Sequence, residues 1–314
     1  MPLVRARTRQ PFSGAALYDS PVEDPTMTQA SQRLRATAAR HHIRSFMADL
    51  RAALGHALEP AYRVEREVRP VGNCRMFVAL EKSAGGGLLV KVLPGALSLG
   101  VDSTRFEQEI ARLGRRLRHP CLVAPRNAGR VGSFVYHTRT FVEGTTLRAW
   151  LARHGELPLR RAVEVLRDVL TALAHAHADG LAHGDLKPEN VLLADGQALV
   201  ADTGILGALV PALTGDGGGA ATAALCAADY LAPERRAGQP APATRDDMFA
   251  VGVLVHEMLT GRPPTGNPEP LEEVRSVPTW LAELERRCRA AEPGARWADA
   301  GSALASGSWP SGGG

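Results

Sequence analysis

The stretch His183-Gly184-Asp185-Leu186-Lys187-Pro188-Glu189-Asn190, followed beyond a short apolar hairpin by Ala201-Asp202-Thr203-Gly204, constrains this chain more than any other feature. It sets a carboxylate (Asp185), an ammonium (Lys187) and an amide (Asn190) within six residues, with a second carboxylate at Asp202. Phosphoryl transfer uses such a set: a carboxylate positions the attacking hydroxyl, a cation offsets charge on the moving group, and an amide plus a carboxylate hold magnesium. The alternative is an ordinary turn, since Asp, Asn, Pro and Gly dominate loops for conformational reasons alone. The length and spacing of the run argue against that alternative.

These residues resemble the catalytic loop of eukaryotic-like serine/threonine protein kinases of the bacterial type, with Gly184 where that family usually has Arg. Asp202-Thr203-Gly204 is similar to its magnesium-binding Asp-Phe-Gly, with Thr203 in place of Phe. The resemblance spans about residues 61–304. It implies an α+β, two-lobed protein-kinase-like fold, with a small five-stranded antiparallel β lobe and a larger, mainly helical lobe. The expected layout is an arm and basic helix over 1–60, a small lobe over 61–142, a large lobe over 143–304 and a flexible tail over 305–314.

The small lobe begins with strand-like alternation over Ala61–Val68 and Met76–Glu81, separated by Pro70-Val71-Gly72-Asn73-Cys74-Arg75. In the family this turn is Gly-rich so that backbone can cover the nucleotide phosphates; here only Gly72 remains of the three expected glycines. Arg75 could contact phosphate instead. A third strand, Leu88–Leu93, carries Lys91, which resembles the lysine that grips the α and β phosphates. The amphipathic helix Arg105–Leu117 implies Glu109 as its ion-pair partner. Glu107 lies on nearly the opposite face. Phe134–Tyr136 and Arg139–Val142 read as the last two strands, and Val142 and Glu143 form the hinge that would carry adenine.

The large lobe is expected to open with a buried helix from Pro158 to His177, stopping at Gly180. Residues 207–224, rich in Gly and Ala, read as a mobile activation segment. Asp229-Tyr230-Leu231-Ala232-Pro233-Glu234 resembles the family's Ala-Pro-Glu anchor, and Arg296 would be the salt-bridge partner of Glu234. Asp247, on an apolar helix ending near Gly261, would cap the catalytic loop from below. That anchor and helix separate the chain from small-molecule phosphotransferases, which share a His-Gly-Asp loop.

The resemblance therefore implies ATP and Mg2+ as cofactors, Asp185 and Lys187 as catalytic residues, and Asn190 and Asp202 as metal ligands. Lys91, Glu109, Gly72, Val142 and Glu143 would bind the nucleotide. Gly184 makes the loop non-RD, which predicts activity independent of activation-segment phosphorylation. The rival reading is a pseudokinase, a nucleotide-binding or scaffold module, suggested by the sparse glycines, Thr203 and Ala227. Retention of Lys91, Asp185, Lys187, Asn190 and Asp202 together argues for turnover.

Charge sharpens the assignment. The net charge of +4 rests on arginine, and the only lysines are Lys82, Lys91 and Lys187. Two of the three fall where a compact ammonium meets phosphate. From Thr28 to about Leu58 apolar residues recur at helical spacing beside Arg33, Arg40, Arg44 and Arg51, an amphipathic helix suited to an acidic partner or a membrane surface, or simply to packing on the kinase lobe. No DNA partner is expected. Four scattered cysteines without C-x-x-C spacing suggest neither disulfides nor zinc, and no apolar run is long enough to span a bilayer. With no secretory signal pattern at the N-terminus, a cytoplasmic location is expected.

Overall fold

The computed structural model describes residues 50–83, 85–214, 225–238, 243–264 and 270–306. Most of the expected arm and basic helix, part of the activation segment and the tail lie outside these residues. From Arg51 onward the chain forms one compact unit. Residues 50–58 are helical (α1), the described part of that basic helix.

The first sheet is antiparallel, in the order β1 (Tyr62–Val71), β2 (Cys74–Glu81), β3 (Gly87–Val92), β6 (Phe134–Thr140) and β5 (Pro125–Val131). The count of five agrees with expectation, but the membership does not. Phe134–Thr140 is one continuous strand rather than the ends of two, and its hairpin partner is Pro125–Val131. Polar His137 and Thr138 look like a turn in sequence, yet both are buried in mid-strand. The turn instead falls at Gly132, whose φ of 55° suits glycine. Pro125, Asn127 and Gly129 disguised the missed strand, because such residues are depleted in sheets.

Helices α2 (Gly95–Leu99) and α3 (Ser103–Arg116) follow β3. Asp102 caps α3 by accepting from Arg105 N at 3.1 Å. Its buried face carries Phe106, Ile110 and Leu113, spaced so that one helical stripe meets the sheet.

The chain then enters a second sheet, ordered β4 (Leu122–Val123), β9 (Gln197–Ala201), β8 (Val191–Ala194) and β7 (Thr145–Thr146). Gly144 allows this crossing. It has φ 147°, and a Cβ there would lie 2.4 Å from the Leu193 carbonyl oxygen, so β7 reaches β8 only with glycine beside it. Helix α4 (Leu147–His154) starts at Thr146, whose hydroxyl accepts from Ala149 N at 3.0 Å.

The larger lobe packs around α5 (Leu159–Ala178) and α8 (Thr244–Thr260). Helix α8 is buried without interruption from Asp246 to Leu259, as befits a helix apolar on most sides at the centre of a lobe. Short helices α6 (Ile205–Leu209) and α7 (Pro233–Arg236) precede it; α9 (Leu271–Val274), α10 (Thr279–Cys288) and α11 (Ala300–Ala305) follow. The start of the expected mobile segment is ordered: Ile205, Leu206, Ala208 and Leu209 are buried, and α6 packs on α3. Burial of these apolar side chains outweighs the freedom that glycine at 207 would otherwise confer. Farther on, Leu213 bridges to Val101, and Thr214 donates through both its backbone N and its hydroxyl to the Gly100 carbonyl.

Candidate active site

Strand pairing brings the two acidic positions together. The catalytic loop ends in a single 3-10 turn at Pro188–Asn190 and runs directly into β8; β9 returns antiparallel and delivers Asp202 at its end. Asp202 has φ 63°, a left-handed conformation uncommon outside glycine and one that recurs at functional sites. Gly204 follows at φ 78°, where a Cβ would meet Leu113 Cδ2 at 2.9 Å. The left-handed backbone there favours glycine, and a side chain would have to push Leu113 of α3 aside.

The catalytic loop is held from beneath by Asp247, as expected. Its Oδ2 accepts from His183 N at 2.6 Å and its Oδ1 from Gly184 N at 2.8 Å, while His177 Nε2 lies 2.9 Å from Oδ2. Burying a carboxylate is tolerable here because backbone donors satisfy it. His183 is fully buried between Asp185 N, 3.2 Å from its Nδ1, and the Ala201 carbonyl, 3.0 Å from its Nε2. Burial lowers its pKa, so the ring is neutral, donating from Nε2 and accepting at Nδ1. It orients the loop.

On this platform Lys187 Nζ lies 2.6 Å from Asp185 Oδ2. Asn190 donates Nδ2 to the Asp185 carbonyl at 2.8 Å, which leaves the amide oxygen as its other functional end. Cys226 sits against the Gly184 carbonyl at 3.8 Å, and burial, then the charge of Asp185, pushes its thiol up to about 12. It remains protonated and is no nucleophile.

From the small lobe, Lys91 reaches across to Asp202, Nζ to Oδ2 at 2.8 Å. Burial works against both charges. Even so, Lys91 is raised above the ordinary lysine value by Asp202, and the charges of Lys91 and Arg139 hold Asp202 well below the usual carboxylate range. The expected Lys91–Glu109 pair is not formed. Glu109 pairs with Arg112 Nη1 at 2.7 Å, while Lys91 is taken by Asp202 and α3 turns Phe106, Ile110 and Leu113 inward. Helix α6, packed on α3, goes with this arrangement.

Gly72 lies at the β1–β2 turn with φ 56°. Arg75 is not free to meet phosphate: its guanidinium grips Glu67 at 2.8 and 3.0 Å and lies over Phe77. Val142 and Glu143 fall in the connection between β6 and β7, where Val142 packs beside Val123, Leu192 and Ala201 and Glu143 is exposed.

Two residues missed in the sequence complete the site. His137 stands opposite Lys91 across β3 and β6, and Arg139 lies two residues further along the same face. Arg139 Nε is 3.6 Å from Asp202 Oδ1. Both His137 nitrogens are buried without a hydrogen-bond partner, and burial lowers its pKa to about 4. The signal was the polar run from His137 to Arg139 between apolar neighbours, but His137 and Thr138 fell between two expected strands and Arg139 was read only as the start of the second.

A carboxylate and an amide oxygen suit a hard cation such as Mg2+, which takes one or two carboxylates and completes its shell with phosphate and water. Among the described residues no group of three His, Cys, Asp or Glu side chains forms a metal cage alone. Asp202 and Asn190 supply the donor types that such an ion takes.

This architecture, a small antiparallel sheet facing a helical lobe across a lysine and two acidic loops, defines a protein kinase fold. The chain belongs to the protein kinase domain family, which matches residues 74–292. It is similar to the serine/threonine-protein kinase PknL of Mycobacterium tuberculosis, 35% identical over 263 residues that cover 77% of this chain and 64% of PknL. It thus spans a little under two thirds of that relative's length. PknB of Mycolicibacterium smegmatis is 35% identical over 165 residues, covering 51% of this chain and 26% of PknB. Among solved structures, the Mycobacterium tuberculosis PknI kinase domain has the same fold, with a TM-score of 0.62 at 24% identity over 78% of this chain and 94% of that one. The Glu234–Arg296 salt bridge implied by the resemblance is present and bidentate, at 2.6 and 2.9 Å.

Proposed function

We propose that this chain is an ATP- and Mg2+-dependent serine/threonine protein kinase of the non-RD type, with its small lobe over 61–142 and its large lobe over 143–304. The observation that carries the reading is the convergence of Lys91 from one lobe with Asp202 from the other, beside an Asp185–Lys187 pair on a loop braced by Asp247.

In this mechanism Asp185 orients a serine or threonine hydroxyl and accepts its proton as the oxygen bonds to the γ-phosphorus and the bond to ADP breaks. Lys187 offsets charge on the transferred group, and Lys91 positions the triphosphate. Asn190 and Asp202 hold the metal, which when bound supplies charge neutralisation across the phosphates. Gly72 covers the phosphates, and Val142 and Glu143 meet adenine through backbone. Glu109 would hold Lys91 in place of Asp202, for which α3 would have to turn Glu109 away from Arg112. The four free thiols suit a reducing compartment, and in this reading the kinase is cytoplasmic. No described helix is long and apolar enough to cross a membrane. The basic helix over 28–58 would dock an acidic partner or a membrane surface.

The test is a thermal-shift measurement with and without Mg-ATP, followed by radiolabelled phosphate transfer to the chain itself and to a generic basic protein. Lys91→Met and Asp185→Asn should abolish labelling in folded protein. Nucleotide binding without transfer in the wild type would point to a pseudokinase.

A further inference from the structure

We infer that Arg139 is a positioning residue that competes with the metal for Asp202, holding that carboxylate in the metal-free state and releasing it when metal and nucleotide bind. The inference rests on the kinase reading above, which makes Asp202 a metal ligand.

Asp202 already has a cation on each oxygen: Lys91 Nζ is 2.8 Å from Oδ2 and Arg139 Nε is 3.6 Å from Oδ1. An arriving divalent ion meets both charges. Lys91 has another task, since phosphate oxygens can take over its ammonium. Arg139 has no such task and must give way or raise the metal concentration required.

The hydrogen bonding of Arg139 is what a displaceable counter-ion requires. The residue is 9% exposed, its Nε is buried without a hydrogen-bond partner, and its separation from Asp202 is too long for one. Its Nη1 makes only a 3.3 Å contact to the Thr140 carbonyl, at the end of β6. Charge holds it in place more than directed bonds do, so removing it breaks little. The Thr140 contact also joins Asp202 to the strand that leads to Val142 and Glu143, so displacement of Arg139 would be felt at the hinge. His137, neutral and unpartnered on the same face, adds no competing charge.

The experiment titrates Mn2+ into the full chain at fixed ADP, with bound metal read by electron paramagnetic resonance and melting temperature read in parallel. Arg139→Met should lower the Mn2+ midpoint by on the order of tenfold, the size of effect one neighbouring charge has on a buried carboxylate. Arg139→Lys should restore much of the wild-type midpoint. Arg139→Gln, neutral but polar, serves if the Met variant does not fold. Without metal, the neutral variants should melt below wild type, and saturating Mn2+ and ADP should narrow that gap. Equal midpoints for wild type and a folded neutral variant would overturn the inference alone. So would a Lys variant that behaves like Met. Absence of metal-dependent nucleotide binding in every protein would overturn both this inference and the metal roles of Asn190 and Asp202.

Discussion

The two sides of the cleft are finished to different degrees. On the large-lobe side the backbone of the catalytic loop is held at several points: Asp247 braces His183 and Gly184, His183 braces Asp185 and Ala201, and Asn190 returns to Asp185, although Glu189 Oε2 and the Thr203 hydroxyl are buried without a hydrogen-bond partner. On the small-lobe side, buried His137 and Arg139 leave polar atoms unpaired, and Glu109 is occupied by Arg112. A buried polar group without a partner costs free energy, whereas Asp247, with both oxygens accepting from backbone, fixes the loop's geometry. The difference teaches that the loop is preorganised for chemistry, while the small lobe is left to be rearranged by whatever enters the cleft.

The largest test of that contrast is Asp185→Asn. Loss of the proton acceptor should slow phosphate transfer by about 10²–10⁴-fold, with little change in melting temperature; radiolabel transfer and calorimetry together check it. Next is Asp247→Ala. Two buried N–H groups and an imidazole lose their acceptor, so unfolding in urea should show a loss of about 3–5 kcal/mol. A loss below about 1 kcal/mol would mean that the loop is not braced as described.

On the other side of the cleft, His137 should make the fold acid-sensitive. Its folded pKa is about 4, below the ordinary value of 6.5, because burial disfavours the charged ring; Asp202 opposes that shift, while Lys91 and Arg139 add to it. Between those values the unfolded chain binds a proton that the folded chain does not. Stability is therefore full above about pH 6.5 and falls as pH drops through the window, by up to about 3 kcal/mol. Urea unfolding near pH 7 and pH 4.5 should show His137→Ile losing less than wild type over that window.

The smallest effect should come from Glu109→Ala. Its bond to Arg112 is a half-exposed pair one helical turn apart, so stability should change by less than about 0.5 kcal/mol. Phosphate transfer should nevertheless fall if α3 turns Glu109 toward Lys91 during turnover. Unchanged kinetics would remove Glu109 from the proposed nucleotide site.

The site was legible in the sequence to the extent that it is local. Asp185, Lys187 and Asn190 lie within six residues, and a single 3-10 turn is enough to set them side by side. Asp202 follows one hairpin later. The role of Asp247 was also readable, because its helix resembles the family's central large-lobe helix, where such a carboxylate meets backbone donors of the catalytic loop. Strand β5 was hidden because its pairing partner, not its own composition, makes it a strand.

The sequence alone determined the reactive loop, whose residues sit at local spacing, and the family resemblance carried by that loop implied the two-lobed architecture and the role of Lys91. Only the tertiary structure decided which cation stands on which oxygen of Asp202. That choice depends on Lys91 and Arg139 reaching Asp202 from strands well removed from it in the chain. It also depends on α6 packing against α3 and on Glu109 binding Arg112. Buried charges take whatever partner the packing brings within reach, and strand order and helix rotation, not residue type, set that reach.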